Sequence, residues 1–181
     1  MRTCPVPLTA APGLLEHYVK KILAAPVYDV AVRTPLQVAP ALSLLLDNHV
    51  LLKREDLQPT FSFKIRGAYN KLMQLRAEQK ACGVITASAG NHAQGVALAA
   101  RELGIKATIV MPRSTPELKV LGVRSRGALA VLHGESFPFA LAHALQLAEA
   151  CGCTFVSPFD DPDVIAGQGK IGRASCRERV S

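Results

Sequence analysis

Apolar residues recur along the chain at two spacings, one helical and one extended, and the two alternate. Between positions 50 and 156, short apolar runs suited to buried strands are separated by longer stretches in which apolar side chains return every three or four residues. Gly83, Gly104, Gly127 and Gly152 stand where helical stretches end. The alternation predicts an α/β fold with a parallel sheet and right-handed crossovers.

The same pattern predicts the individual elements. An amphipathic helix is predicted over 13–25, extended chain over 33–36 and a short helix over 39–46. Strands are predicted over 50–54, 84–86, 107–110, 129–132 and 154–156. Helices are predicted between them, over 62–75, 91–103, from 116, and over 136–150.

Composition is that of a globular protein, with 49% hydrophobic and 5% aromatic residues in 181. This length suits one domain and part of a second. No apolar run approaches the roughly 20 residues that cross a bilayer, and Met1-Arg2-Thr3-Cys4-Pro5 is not followed by the apolar block of a secretory signal. We therefore predict a soluble, cytoplasmic protein without a membrane partner.

The formal net charge of +7 raises the question of a nucleic-acid partner. From Lys170 onward four basic residues face one acidic residue, which gives +3, so the rest of the chain carries +4. Because that remainder is dispersed among acidic residues, a solvated surface explains it better than a nucleic-acid interface does. We predict no nucleic-acid partner.

The five cysteines are an odd number at irregular spacings, which favours reduced thiols over a disulfide framework. Cys151-Gly152-Cys153 lacks a second Cys or His pair at a matching spacing, so we predict no metal site. Small buried or incidental thiols are the favoured interpretation of all five: Cys4, Cys82, Cys151, Cys153 and Cys176.

The first candidate for chemistry is Lys64, which opens a predicted helix in the run 60–68. With Ser62 as the expected N-cap, Lys64 falls in the first turn, where a cation is unfavourable against the helix dipole. Apolar Phe63 and Ile65 and nearby cations could lower its pKa from about 10.4, as a nucleophilic amine requires. Taken alone, Lys64 is better explained as an ordinary solvated helix lysine, and only its context favours chemistry.

The second candidate is the loop Ser88-Ala89-Gly90-Asn91-His92, which directly follows a predicted strand. Ligands of parallel sheets bind beyond the carboxyl ends of strands, and small residues let backbone N–H groups approach an anion. Asn91 can donate or accept a hydrogen bond at a ring hydroxyl. An ordinary loop capped by Ser88 or Asn91 would also explain these residues, and His92 taken singly is better explained as a structural or orienting histidine than as a catalytic base.

An amine and an anion-binding loop together indicate an enzyme that forms a Schiff base with an amino acid. Other candidates are weaker. Glu55 and Asp56 beside Lys53 and Arg54 are interpreted as a solvated face, and His133 and His143 as core or surface residues.

Three segments, 53–59, 62–68 and 88–95, closely resemble the threonine and serine dehydratases, which are pyridoxal-phosphate enzymes of the tryptophan-synthase β-like fold. Segments 84–87, 109–112 and 164–169 extend the resemblance over about 25–169. Residues 25–28 and 53–56 are most similar to the biosynthetic threonine dehydratases, which open the isoleucine pathway.

The resemblance implies roles for the candidate residues. Lys64 would hold pyridoxal 5'-phosphate as a Schiff base, Phe63 would pack beside its ring, and Asn91 would contact the ring hydroxyl. The substrate carboxylate would bind to a loop of Ser88, Ala89, Gly90 and His92. The implied reaction removes the Cα proton through Lys64, eliminates the β-hydroxyl of threonine or serine, and yields 2-oxobutanoate or pyruvate with ammonia.

The resemblance also divides the chain and implies a homo-oligomer, a tetramer by analogy. Residues 1–55 would form an N-terminal arm and the start of a large cofactor domain, 56–158 a small three-layer α/β domain, and 159–169 the return into an incomplete large domain. Residues 171–180 have no apolar period and are expected to interrupt a helix that starts at 165–168. Residues 170–181 resemble one reading frame of a short-read sequencing adapter, and we expect them to be non-native. With the phosphate loop and the residue facing the pyridine nitrogen expected later in sequence, we expect an inactive, aggregation-prone fragment.

Three alternatives stay open at this point. Serine racemase and, more distantly, cysteine synthase share the implied fold. A non-catalytic α/β binding module would keep the scaffold without the chemistry, although the presence of both Lys64 and Asn91 argues against it.

Overall fold

The computed structural model describes residues 13–178. Its helices are α1 (Leu14–Ala24), α2 (Pro40–Leu45), α3 (Lys64–Met73), α4 (Ala77–Cys82), α5 (Asn91–Glu102), α6 (Glu117–Arg124), α7 (Phe137–Cys151) and α8 (Pro162–Glu178). Its strands are β1 (Leu36–Val38), β2 (Leu51–Lys53), β3 (Val84–Ala87), β4 (Ala107–Met111), β5 (Leu129–Leu132) and β6 (Thr154–Phe155). Short 3-10 turns cover Val27–Asp29 and Glu55–Leu57.

The main sheet has four parallel strands in the order β5-β4-β3-β6. From β3 the chain moves outward through β4 to β5, and then returns to the other side of β3 as β6. The direction of strand addition therefore reverses between β3 and β6, which makes this position the topological switch point of the sheet. β1 and β2 form a separate antiparallel pair.

Successive residues of the central strands point to opposite faces of the sheet, and each face has its own core. Val84 and Ile109 belong to a large cluster with α3, α5 and α6. Ile85 and Val110 face the other way and pack against the alanines of α7. The sheet thus lies between two helical layers, which confirms the predicted three-layer α/β architecture.

Helix α3 lies outside α5 and is also packed against α8, which in turn contacts α1. The crossing of α3 and α8 is close: a Cβ at Gly167 would lie 2.5 Å from the carbonyl oxygen of Arg66 and 2.7 Å from the Cα of Gly67. Only glycine permits such an approach of two backbones.

The predicted strands and most predicted helices are confirmed to within about two residues at their ends. Two elements were missed: α4, a single short polar helix, and β1, where only extended chain was expected. The expectation that the segment after 170 interrupts a helix is wrong, because α8 continues to Glu178. Arg, Ala and Glu in this segment are adequate helix formers despite the absent apolar period.

Within the described part of the chain, no helix is both long and apolar enough to cross a membrane. Cys4 lies outside the described residues. The domain boundaries inferred from the resemblance stay predictions.

Candidate functional site

The candidate residues meet at the switch point between β3 and β6. The loop after β3 carries Ser88, and α5 begins at Asn91. Beyond β6 the chain runs through Val156 to Pro158, whose carbonyl oxygen accepts a hydrogen bond from Lys64 Nζ at 2.6 Å. Three separate segments of the sequence therefore line one crevice at the carboxyl edge of the sheet.

Lys64 is the first residue of α3, as predicted, and its side chain is half-buried. Burial lowers the pKa of its amine. Apolar Phe63 and neighbouring cations were also expected to lower this pKa, but Phe63 is 40% exposed and burial is the operative cause. The Phe63 ring centroid lies 5.6 Å from Lys64 Nζ.

The entry into α3 differs slightly from the prediction. Phe63, rather than Ser62, occupies the N-cap position, while Ser62 Oγ accepts a long hydrogen bond of 3.4 Å from the Lys64 backbone N–H. Phe61, just before it, has a φ of +56°, a conformation that costs energy for a bulky residue. The chain thus makes a strained turn to present Lys64 at the crevice.

Ser88 fixes the loop that follows β3. Its Oγ accepts hydrogen bonds from the backbone N–H groups of Gly90 and Ala93, both at 3.2 Å. The hydroxyl therefore caps one free N–H in the first turn of α5, while the others at this helix end keep their positive potential. A Cβ at Gly90 would meet nothing within 4 Å, so open space lies over the loop. Ala89 is half-buried and the Asn91 side chain is exposed.

His92 is buried one residue into α5, 3% exposed. Its Nε2 lies 3.2 Å from the carbonyl oxygen of Val156, which also accepts a 2.7 Å hydrogen bond from Thr86 Oγ1. Since a carbonyl can only accept, Nε2 carries the proton and Nδ1 is an acceptor without a partner. Burial, reinforced by the charge of Lys64, lowers the pKa of His92 to about 4. The imidazole is therefore neutral at physiological pH.

A buried ion pair supports the start of α3, and here the sequence interpretation was wrong. Glu55 is 8% exposed, and both its carboxylate oxygens accept hydrogen bonds from Arg66, at 2.7 and 2.8 Å. Thr34 and Gln58 donate to the same carboxylate. Only Arg54 and Asp56 form the solvated pair that was expected for the whole segment.

The pKa of Glu55 reflects these contacts. Burial alone would raise it, but hydrogen bonds from Arg66 and Thr34 and the charge of Arg66 outweigh burial and lower it. Glu55 and Arg66 are eleven positions apart without any periodic relation, so the sequence held no signal for their contact. The pair ties the turn after β2 to α3, two residues from Lys64.

His133 and His143 stack with their ring centroids 3.9 Å apart and both are half-buried. Both lie away from the crevice: His133 follows the carboxyl end of β5, and His143 lies within α7. In residues 13–178 no three His, Cys, Asp or Glu side chains converge as metal ligands.

The crevice offers specific chemistry. Lys64 Nζ is hydrogen-bonded to a carbonyl and forms no ion pair with a carboxylate of the described residues 13–178, so its amine can lose a proton and react with a carbonyl carbon. The N-terminus of α5 can hold an anion, in the open space over Gly90. The unpaired Nδ1 of His92 is a further buried acceptor. These residues fit a ligand that combines a carbonyl carbon with a negatively charged group.

Comparison with known proteins gives a consistent result. The family model described as "Pyridoxal-phosphate dependent enzyme" matches residues 27–179. The biosynthetic L-threonine dehydratase IlvA of Pasteurella multocida is 58% identical over 155 residues, which is 86% of this chain and 30% of the relative. The chain thus spans about a third of the length of such a relative.

Two solved structures resemble the fold. The processed form of threonine deaminase isoform 2 from Solanum lycopersicum has a TM-score of 0.89 and 51% identity, over 93% of this chain and 47% of that one. Maize serine racemase has a TM-score of 0.83 and 31% identity, over 90% of this chain and 49% of that one. The threonine deaminase is the more similar of the two.

Proposed function

Since the chain belongs to the pyridoxal-phosphate dependent enzyme family, we propose that it carries the lysine-bearing half of a threonine dehydratase active site. In the whole protein, this half would serve the deamination of L-threonine to 2-oxobutanoate and ammonia, and of L-serine to pyruvate and ammonia. The identity of 58% to a biosynthetic threonine dehydratase supports the choice of substrate and a place at the start of isoleucine synthesis.

One observation carries the proposal: the amine of Lys64 lies half-buried at the switch point, held by a carbonyl rather than by a carboxylate. A surface lysine would be fully solvated, and a structural buried lysine would be paired with an acid. Lys64 is neither. Its lowered pKa enlarges the neutral, reactive fraction of the amine.

Pyridoxal phosphate, when bound, supplies a conjugated ring that takes up the negative charge developing at Cα. Lys64 would hold this group through Nζ, Phe63 would pack beside its ring, and Asn91 would contact its hydroxyl. The Phe63 ring centroid 5.6 Å from Lys64 Nζ and the position of Asn91 at the start of α5 support these roles. The site fits this group because it offers the amine of Lys64, the N–H groups at the start of α5 and open space over Gly90.

The remaining residues would handle the substrate. The N–H groups at the start of α5, held in place by Ser88, would bind the substrate carboxylate together with Ala89, Gly90 and His92. Lys64 Nζ would then accept the Cα proton, because it is the basic group at the crevice with a lowered pKa. Neutral His92 would not compete for that proton.

Three further features belong to the proposal. We expect the whole protein to be cytoplasmic and to assemble as a homo-oligomer. Its substrate at this site would be a small amino acid. Residues 56–158 would form the small domain, and the flanking segments would belong to the large one.

Reductive labelling tests the proposal directly. The protein is incubated with pyridoxal phosphate, reduced with borohydride and digested with trypsin. A pyridoxyl group on Lys64 blocks cleavage there and yields the peptide 55–66, whereas unmodified chain is cut after Lys64. Lys71, held by Asp161 at 2.7 Å, should stay unlabelled and serves as the internal control. Labelling of Lys71 or of surface lysines alone would favour a non-catalytic binding module.

Product analysis on the whole enzyme separates the remaining alternatives. Threonine dehydratase activity gives 2-oxobutanoate from L-threonine, and serine racemase activity gives D-serine from L-serine. The lower identity of the maize serine racemase, 31%, favours the first result. Formation of D-serine without keto acid would overturn the assignment.

A further inference from the structure

Three cysteines gather at the edge of the sheet opposite the candidate site. Cys82 ends α4, Cys151 ends α7, and Cys153 directly precedes β6. Because β3 and β6 begin side by side, with Val84 opposite Thr154, the residues before them are neighbours. The three residues therefore lie at the amino ends of the strands, at the opposite edge from Lys64.

Each of two sulfurs contacts a backbone carbonyl. Cys153 Sγ donates to the carbonyl oxygen of Cys82 at 3.2 Å, and Cys151 Sγ lies 4.0 Å from the carbonyl oxygen of Ala148 in its own helix. Between Cys151 and Cys153, Gly152 adopts a left-handed conformation, φ 66°, which ends α7 and turns the chain toward β6. Cys151 and Cys82 are exposed, and Cys153 is half-buried.

The two neighbouring thiols differ in reactivity. Burial, with contributions from the neighbouring thiols of Cys151 and Cys82, raises the pKa of Cys153 to about 11. Cys153 is thus protonated at neutral pH, and exposed Cys151 is the sulfur that meets solutes first. Cys82, Cys151 and Cys153 do not converge as metal ligands, since no three His, Cys, Asp or Glu side chains in residues 13–178 do so. The chemistry left to Cys151 and Cys153 is that of a dithiol.

We propose that Cys151 and Cys153 form a reversible disulfide when the protein meets a small-molecule disulfide such as oxidised glutathione. The thiolate of Cys151 attacks one glutathione sulfur, forms a mixed disulfide and releases one reduced glutathione. Cys153 then loses its proton and attacks the Cys151 sulfur, releasing the second. Two protein thiols are oxidised, one glutathione disulfide is reduced, and two glutathione thiols form.

The resulting bond would be easily reduced. The ring it closes contains only Gly152 between the two cysteines, so it constrains the unfolded chain little. Exposed disulfides of this kind have more oxidising potentials than buried structural ones. An excess of reduced glutathione should therefore restore both thiols.

Tryptic mapping tests the proposal without any variant. Cleavage after Arg126 and Lys170 leaves Cys151 and Cys153 on one peptide, 127–170, while Cys82 lies on another, 81–101. After native oxidation we expect peptide 127–170 to be two hydrogens lighter and free of glutathione. A cross-link between the two peptides, a persistent glutathione adduct, or an unchanged peptide 127–170 would each overturn the proposal.

Variants test the order of attack. Cys153→Ser should accumulate glutathione on Cys151, because no resolving thiol remains, whereas Cys151→Ser should leave Cys153 largely unmodified. Cys82→Ser is the matched control and should close the disulfide as the unaltered chain does. Circular dichroism verifies that each variant is folded. Equal adduct formation on Cys151 and Cys153 in the two single variants would contradict the assigned roles.

Discussion

Gly95 in α5 rests directly on the backbone of Lys64. A Cβ at position 95 would lie 3.1 Å from both the carbonyl carbon and the carbonyl oxygen of Lys64, and 3.2 Å from the amide nitrogen of Ile65. The helix that begins with the anion-binding loop therefore touches the first turn of the helix that begins with the amine. This contact sets the distance between the two halves of the candidate site.

Replacing Gly95 with alanine should separate these helices. The added methyl meets backbone rather than a movable side chain, and we expect a loss of about 1–3 kcal/mol in the free energy of unfolding. The helix propensity gained by alanine, up to about 1 kcal/mol, does not offset this. Gly172→Ala is the control, since its Cβ would meet nothing within 4 Å in α8. Urea unfolding should show the first variant destabilised and the second not.

Neutralising Glu55 should leave Arg66 as an unpaired buried charge. Glu55→Gln is expected to lower the free energy of unfolding by about 3–5 kcal/mol. Asp56→Asn removes the neighbouring exposed carboxylate and should have no measurable effect, because solvent screens its pair with Arg54. Equal effects of the two substitutions would contradict the difference in burial.

The Glu55–Arg66 pair should also make the free energy of unfolding depend on pH in the acid range. The pKa of Glu55 in the folded protein is below its ordinary 4.5. Its stabilising contribution is therefore fully present above about pH 4.5 and is lost as the pH falls through the lower folded value. Denaturation midpoints measured from pH 7 to pH 3 should fall steeply for the unaltered protein at the acid end. The Glu55→Gln protein should show a shallower fall.

Protonation of His92 in the unfolded chain should lower the free energy of unfolding over a higher pH range than protonation of Glu55 does. Because its folded pKa is about 4 and its ordinary value is 6.5, the unfolded chain binds a proton first as the pH decreases. Stability should therefore decline between about pH 6.5 and pH 4. His92→Gln, whose amide can still donate to Val156, should remove this slope. Nitrogen-15 NMR should show His92 neutral at pH 6, with the proton on Nε2; a protonated ring at that pH would refute the assignment.

Ser88→Ala should loosen the loop after β3. It removes the acceptor for the N–H groups of Gly90 and Ala93, which should cost about 1 kcal/mol, as for other lost helix caps. Hydrogen exchange should accelerate at these two amides. Ser114→Ala, at an exposed position between β4 and α6, is the control and should leave exchange in the loop unchanged.

Much of the architecture could be predicted from the sequence because buried parallel strands and amphipathic helices have different periods. β3, β4 and β5 were found this way, as was the position of Ser88 beyond β3. The order of the strands could not be predicted, since the return of β6 to the free side of β3 depends on tertiary packing. Helix α4 was missed because six largely polar residues show no recognisable period.

The candidate site shows the same division. Lys64 and the loop of Ser88 were identified from their side-chain chemistry and their place at element ends. Pro158 and Val156 contribute only backbone carbonyl oxygens, for which residue type gives no signal. Glu55 was assigned to the solvent because its neighbours in sequence are charged, whereas its partner Arg66 comes from the next helix.

The close crossing at Gly67 and Gly167 limits how this site can move. Helix α3 is in backbone contact with α8 on that side and with α5 at Gly95, so it can neither roll nor slide without a collision. Any opening that admits a substrate must therefore leave α3 in place. The motion is left to the loops at the crevice and to rotation of the Lys64 side chain about its own bonds.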